Sequence, residues 1–289
     1  MTKIKNSERV TIITVTHNSM RVISAMLSSV PSGARVIVID NLSNDLKDLR
    51  DLCSQLGVLL IENSFNEGFG AACNRGAKLA TTEFLLFLNP DSILMADTLD
   101  ELIAAAQRNP TATGFNPRIE RDDGKPSFNY KSPLLPRSEW MDTGWPKADC
   151  EVSTLSGCAM FVRRIDFVAL AGFDANIFLF HEDDDLALRL RKRGPLVFVY
   201  DARVCHSVGS SSGNGLEVVT FKEWHLGYSR VYTMRKHSIA FAFTRSLTRA
   251  VLKAASPIVL FSRRKRARRW SFLQGVVSAF LDTQIRTRK

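Results

Sequence analysis

Four short polar clusters and one acidic run carry the residue types that chemistry needs. The clusters are Thr16-His17-Asn18-Ser19, Asp40-Asn41-Leu42-Ser43, Asn63 with Asn66-Glu67-Gly68-Phe69-Gly70, and Asn89-Pro90-Asp91. Each follows an apolar run, so each is a candidate strand exit, although turn and cap residues are also of these types. The glycines lack the dinucleotide and P-loop orders. Residues 66–76 instead read as a Gly-rich loop entering a helix, whose first amides can face an anion such as a diphosphate. Further on, Glu182-Asp183-Asp184-Asp185 sets four carboxylates side by side. Crowded like charges can raise one carboxylate's pKa, which would help a general base, and helix N-termini also stabilise acids. Asp185 and Arg189 are spaced i,i+4 and read as a structural pair.

The elements that must position these groups follow from apolar periodicity. Runs at 10–15, 36–39, 58–61 and 84–88 alternate with helix-like segments at 19–30, 45–56 and 70–80. This β-α-β rhythm predicts a parallel sheet with helices on both faces and strands buried on both sides. Ligands of such sheets bind outside the carboxyl ends of the strands, where the polar clusters fall.

The chain has 289 residues, of which 45% are hydrophobic and 24% charged, which excludes disordered and fibrous classes. Its five cysteines form no C-x-x-C pair, so a disulfide framework and a zinc ribbon are not expected, and a reducing compartment is. The N-terminal apolar run reads as a first strand rather than a signal peptide, so a cytosolic chain is expected.

Charge is unevenly placed. Residues 222–289 hold sixteen Lys/Arg against two acids, and the preceding body is mildly acidic. Arg245, Arg249 and Lys253 recur every four residues along one helix side, and SRRKRARRW adds six basic residues before Trp270. Pro257 interrupts the one candidate for a membrane span. Basic faces bearing Phe, Leu and Trp suit an interfacial helix on an anionic membrane. A solvated helical cap is the plainer reading, and no nucleic-acid-binding signature is present.

The runs Thr14-Val15-Thr16-His17-Asn18-Ser19, Val38-Ile39-Asp40-Asn41-Leu42-Ser43, residues 66–76 and Leu88-Asn89-Pro90-Asp91-Ser92 together resemble family 2 inverting glycosyltransferases of the GT-A fold. The resemblance is to the rhamnosyltransferase-like branch that builds bacterial surface polysaccharides. Ser156-Gly157-Cys158-Ala159-Met160 resembles that family's small-residue strand, Gly172-Phe173-Asp174 its G-F-D turn, and Glu182-Asp183 with Asp185-Leu186 and Arg189 its E-D-x-D-L-x-x-R signature. His206-Ser207-Val208-Gly209-Ser210-Ser211 resembles the H-x-x-G-x-S segment that follows.

The resemblance implies an α/β GT-A fold: a Rossmann-like, mostly parallel sheet flanked by helices, with a C-terminal basic helical extension. It implies a glycosyltransferase domain at 1–215, split into a nucleotide-sugar half (1–117) and an acceptor half (118–215), and a membrane-associating region at 216–289. Its donor is a nucleotide diphosphate sugar, with dTDP-L-rhamnose foremost and UDP-linked hexoses or N-acetylhexosamines as alternatives. A non-catalytic nucleotide-sugar-binding scaffold is the reading from another class. Asp183 is placed as the base beside Glu182, with Asp184 its rival. Asp91 and His206 are placed on a divalent Mg²⁺ or Mn²⁺ ion, against the plainer readings of a turn aspartate and a loop histidine. The family's D-x-D motif here reads Asn89-Pro90-Asp91, so one carboxylate is missing. Thr16, Asn18, Asp40, Asn41, Asn66, Gly68, Phe69, Asn74 and Asn89 are placed around the nucleotide sugar, with Phe69 equally a core residue. The acceptor implied is a lipid-linked glycan at the inner face of the cytoplasmic membrane, and an oligomer is possible. Residues 118–150, with Trp140 and Trp145, read as a lid over the sugar or as an ordinary long connection.

Overall fold

The computed structural model describes residues 5–127, 131–141, 144, 146–207, 213, 215–256 and 261–286, with side chains to 282. Trp145, Pro257 and Val208 to Ser211 of the His206 motif lie outside them. The chain divides into two compact units, one of residues 1–174 with 183–212 and one of 175–182 with 213–289.

The first unit is built on one sheet. Its opening half alternates β1 (Val10–Thr16), α1 (Met20–Ser28), β2 (Arg35–Asp40), α2 (Leu46–Leu56), β3 (Leu59–Glu62), α3 (Phe69–Ala77) and β4 (Phe84–Leu88). Then come β5 (Ser92–Leu94), α4 (Thr98–Arg108), β6 (Gly114–Glu120), β7 (Cys150–Val152), β8 (Ala159–Arg163), α5 (Arg164–Ala169), α6 (Glu182–Arg191) and β9 (Leu196–His206). The order across the sheet is β3-β2-β1-β4-β8-β6-β9-β5, with β7 pairing to β9. The pairs β1–β2, β2–β3 and β1–β4 are parallel, as the sequence rhythm predicts.

β8 runs antiparallel to both β4 and β6, and β9 runs parallel to β6. Six strands, β1 to β4, β6 and β9, therefore point the same way. The start of β8 and the end of β9 consequently lie at the same sheet edge as the end of β4. This arrangement brings residues far apart in sequence to one edge.

Alternate residues of each strand feed the two sheet faces. Val10, Ile12, Leu86 and Leu88 pack with Ile23, Met26 and Leu102 of α1 and α4 on one face. Ile13, Val15, Leu85 and Phe87 pack with Ala72, Phe167 and Leu186 of α3, α5 and α6 on the other. β1 and β4 are buried throughout. β3 is not, with Leu59 exposed, because it is an edge strand whose outer side has no strand neighbour among the described residues.

The second unit holds α7 (Leu216–Lys236), α8 (Ala242–Ala254) and α9 (Arg263–Arg286) around Val231, Ala250, Phe272, Val276 and Ala279. Gly227 and Gly275 let α7 and α9 cross closely. A Cβ on Gly275 would stand 2.0 Å from the Trp224 carbonyl oxygen. Residues 175–182 belong to this unit: Ser229 Oγ donates to the Leu179 carbonyl at 2.8 Å, and Phe178 stacks on His225 with ring centres 4.5 Å apart. Among the described residues, no helix is long and apolar enough to cross a membrane.

Candidate active site

At the ends of β1 and β2, Thr16 pairs directly with Asp40 in the parallel ladder, and both are buried. Asp40 Oδ2 accepts the Ser43 amide at 3.0 Å. Its Oδ1 is buried without a hydrogen-bond partner among the described residues. An unmatched buried carboxylate oxygen is costly unless a ligand donor reaches it. Asn18 stands in the left-handed region at φ 57. Its amide nitrogen donates to Ser43 Oγ at 2.8 Å, and its Oδ1 accepts the Asn44 amide at 2.7 Å, tying the two strand exits together.

Asn41 is the buried knot of the next loop. Its Nδ2 donates to Asn66 Oδ1 at 2.8 Å and to the Gly68 carbonyl at 3.2 Å. Its Oδ1 accepts Asn63 Nδ2 at 3.0 Å and the Glu67 amide at 3.1 Å. Both donors and both lone pairs are thus used within the protein. Asn66 Oδ1 also accepts the Gly68 amide at 3.0 Å, which shapes the entry to α3.

Phe69 packs against the core, edge-on to Phe173 at 6.1 Å, which takes up the core alternative for this ring. Asn74 exchanges two 2.8 Å bonds with the backbone of Phe173, so its amide fastens α3 to the G-F-D turn.

Asp91 and His206 meet beyond β4. Ser92 pairs with His206 across β5 and β9, and the Ser207 amide donates to the Asp91 carbonyl at 3.0 Å. Asp91 is buried, and its Oδ1 lies 3.2 Å from His206 Nε2. Burial opposes the imidazolium, but the Asp91 carboxylate and the Cys158 side chain outweigh it and hold the His206 pKa up at about 10. The pair's separation is close to that of two neighbouring donors in one octahedral shell, about 3 Å for bonds near 2.1 Å. A carboxylate and an imidazole suit Mn²⁺, and the hard oxygens of a diphosphate would complete the shell. The donor set therefore fits a divalent ion shared with substrate. Among the described residues no group of three or more His, Cys, Asp or Glu side chains forms a site by itself.

The acidic run opens α6. Phe180 and His181, immediately before it, both take left-handed φ values, 66 and 65. Such strain in non-glycine residues persists only where surrounding structure fixes it. Asp183 Oδ2 accepts the Gly157 amide at 3.0 Å, and its Oδ1 accepts the Asp184 amide at 2.9 Å. Glu182 is buried, and Asp184 is buried with Thr154 Oγ1 3.4 Å from its Oδ1. Asp183 alone of these three is partly open to solvent. Asp185 pairs with Arg189 at 2.7 Å, as the i,i+4 spacing predicts.

Residues 156–158 join these parts. They form a turn before β8, which starts only at Ala159. The Asn89 amide donates to the Cys158 carbonyl at 2.9 Å, while the neighbouring Gly157 amide holds Asp183. The turn is itself pinned by Asn116 of β6, which bonds to Ser156 and Ala159. Asn116 carries no sequence signal of its own, since a single polar residue does this job through distant backbone partners.

A mostly parallel sheet flanked by helices, with polar groups gathered at the edge where its strands end, is the architecture of the GT-A fold. Residues 11–168 match Glycosyl transferase family 2, and the chain belongs to that family. It is similar to the N-acetylglucosaminyl-diphospho-decaprenol L-rhamnosyltransferase of Mycobacterium tuberculosis, with 31% identity over 62% of this chain and 68% of the relative. It is also similar to rhamnosyltransferase WbbL of Escherichia coli, at 28% over 79% of this chain and 94% of that one. Among solved structures, mannosyltransferase PcManGT of Pyrobaculum calidifontis, in complex with GDP-Man and Mn²⁺, shares the fold with a TM-score of 0.58 at 15% identity. That match covers 95% of this chain and 87% of the mannosyltransferase. The enzyme is thus a rhamnosyltransferase-like family 2 glycosyltransferase.

Proposed function

We propose that this enzyme transfers L-rhamnose with inversion from dTDP-L-rhamnose to a lipid-linked glycan, with Asp183 as the base. The observation that supports it most is the 156–158 turn, whose Gly157 amide bonds Asp183 and whose Cys158 carbonyl bonds the Asn89 amide of the Asn89–Asp91 segment. An acid and a candidate metal-holding pair, both bonded through one short turn, suit attack on one face of a sugar carbon and departure from the other.

In this reading the acceptor hydroxyl oxygen bonds to the anomeric carbon as the bond from that carbon to the diphosphate oxygen breaks. The hydroxyl proton passes to Asp183, and the electron pair leaves with the nucleoside diphosphate. Gly157 and Asp184 amides aim the carboxylate, and its chain neighbours Glu182 and Asp184 are both buried. Asp40 Oδ1, with Thr16 and Asn18 beside it, accepts from the nucleobase N–H or a ribose hydroxyl. The Asn66–Gly68 loop and Asn89 line the diphosphate and sugar, while Asn41, Phe69 and Asn74 support from behind. Asp91 and His206 would hold a Mg²⁺ or Mn²⁺ ion that offsets negative charge on the leaving diphosphate.

Two relatives are named as rhamnosyltransferases, and the mycobacterial one is named for a diphospho-decaprenol acceptor, which favours the rhamnose and lipid assignments. No residue of the site fixes the sugar by itself, so UDP-linked donors are the competing reading. A nucleotide-sugar panel with lipid acceptor, with and without Mg²⁺ or Mn²⁺, tests it. Turnover of dTDP-L-rhamnose that Asp183→Asn abolishes, with dTDP binding retained, is expected. Turnover of a UDP-sugar instead would replace the donor, and turnover of none would favour a binding scaffold.

The division proposed is a catalytic region at 1–215 and a basic helical region at 216–289 that adsorbs to the cytoplasmic face of an anionic membrane. Burial and the nearby Arg249, Arg230 and Arg269 lower the Lys253 pKa, so cations from α7, α8 and α9 cluster. Leu252, Phe261 and Trp270 are exposed among the basic residues. Co-sedimentation with phosphatidylglycerol vesicles should be lost in high salt and in a variant with Arg263, Arg264, Lys265 and Arg266 changed to Glu. Unchanged binding by that variant would count against the membrane reading.

A further inference from the structure

Asn116 lies on β6, away from every motif that marks the catalytic residues, and it is completely buried. Three hydrogen bonds occupy its amide. Nδ2 donates to the Ser156 carbonyl at 3.2 Å and to the Ala159 carbonyl at 2.6 Å, and Oδ1 accepts the Ser156 amide at 2.5 Å. These three bonds grip both ends of the turn at 156–159. A buried side-chain amide satisfied in this way rigidifies what it holds, since losing it leaves several peptide groups unmatched.

The middle of the same turn carries the working contacts. Gly157 N–H reaches Asp183 Oδ2 at 3.0 Å, and the Cys158 carbonyl receives the Asn89 amide at 2.9 Å, with Ser92 Oγ 3.5 Å away. The turn has little slack: a Cβ on Gly157 would come within 2.9 Å of Asp183 Cβ. Asn116 touches neither Asp183 nor the Asn89–Asp91 segment directly in these bonds, yet the turn it clamps bonds to both.

We infer that Asn116 is a positioning residue for transfer, fixing through the 156–159 turn the separation between the general base and the donor's diphosphate site. This rests on the assignment of Asp183 as the base. A misplacement of about 1 Å between reacting groups is enough to cost on the order of 10²-fold in rate, so the clamp acts on kcat rather than on ground-state binding.

Asn116→Ala and the near-isosteric Asn116→Asp, which keeps an acceptor but loses both donor bonds, test the inference in the full-length protein. With whichever donor of the nucleotide-sugar panel the wild type turns over, kcat should fall about 10- to 100-fold in both variants, with the donor KM within about threefold. In an Asp183→Asn background, Asn116→Ala should cost less than about threefold more, because its effect passes through the base. Full additivity of the two changes would overturn the inference. An unreduced Asp183→Asn enzyme would instead refute the base assignment, a separately readable failure.

Hydrogen–deuterium exchange supplies a readout that needs no substrate. Peptides covering 154–161 should lose protection in both variants, while β1, β2 and α7 keep theirs. Unchanged protection at 154–161 would overturn the clamp. A variant that loses protection everywhere has unfolded, and the Asp variant together with Ser156→Pro, which removes the 2.5 Å bond from the turn's side, then decides.

Discussion

The Gly157 amide nitrogen and Asp183 Oδ2 stand 3.0 Å apart, and the two residues pack so closely that a methyl on Gly157 would meet Asp183 Cβ at 2.9 Å. A flat, side-chain-free edge at Gly157 is thus part of the seat of the proposed base. Gly157→Ala forces either the turn or the carboxylate to move. Turnover should fall about 10- to 100-fold, with dTDP affinity changed less than about threefold. Steady-state kinetics beside calorimetric dTDP titration checks this, and an unchanged kcat would remove Gly157 from the site.

Asp183 and Asp184 are adjacent but differently placed. Asp183 is partly open and oriented by two amides, whereas Asp184 is buried near Thr154 Oγ1. Asp183→Asn should therefore lower kcat by roughly 10²- to 10⁴-fold with little change in melting temperature. Asp184→Asn should show the reverse emphasis, with lowered stability and a smaller kinetic loss. If Asp184→Asn is the inactive, stable variant, the two roles exchange.

Asp91 and His206 should act as a couple towards a divalent ion. In the presence of dTDP, Mn²⁺ titrated by calorimetry or electron paramagnetic resonance should bind at least tenfold more weakly to Asp91→Asn and to His206→Ala. The double variant should lose little more than the worse single one, as expected when two ligands serve one site. Wild-type Mn²⁺ affinity in both single variants would assign the pair to structure alone.

Much of this site is legible in sequence because its parts sit where strands end. The apolar runs before Thr16, Asp40 and Asn89 locate the exits, and the parallel ladder then places Thr16 beside Asp40. Asp185 with Arg189 is readable from helical spacing. Asn41 shows the limit. Its type and place suggest a ligand contact, yet its amide is consumed by Asn63, Asn66, Glu67 and Gly68. Asn116 shows the converse, since nothing local marks a lone asparagine whose partners lie 40 and 43 residues away. The association of residues 175–182 with α7 is equally silent, because it depends on which helix the chain reaches after folding.

Removing the Asn41 knot should be felt in both stability and binding. Asn41→Ala removes four hydrogen bonds to the 63–68 loop and takes this partner from the Gly68 carbonyl, the Asn63 side-chain amide and the Glu67 N–H, some of them partly solvated, while Asn66 Oδ1 keeps the Gly68 amide. The expected loss is about 2–4 kcal/mol of stability, with dTDP binding weakened as the loop loosens. Urea unfolding and dTDP titration measure the two effects. Weakened binding without destabilisation would make Asn41 a direct ligand contact.

His225 gives the helical unit an acid sensitivity of calculable sign. The ring lies between Phe178 and Phe221, each with its centre 4.5 Å away, and beside Trp224 at 4.9 Å. Burial there pushes its pKa down to about 4. The unfolded chain, with an ordinary histidine pKa near ~6.5, binds the proton first as pH falls. The stabilising contribution is therefore complete above about pH 6.5 and is lost progressively between there and pH 4. His225→Phe keeps an aromatic ring and removes the titration. Between pH 7 and pH 5 the wild type should lose a few degrees more in melting temperature than this variant, because only the wild type takes up the extra proton on unfolding. Differential scanning calorimetry at both pH values reads the difference, and equal losses in the two proteins would show that His225 titrates normally in the folded state.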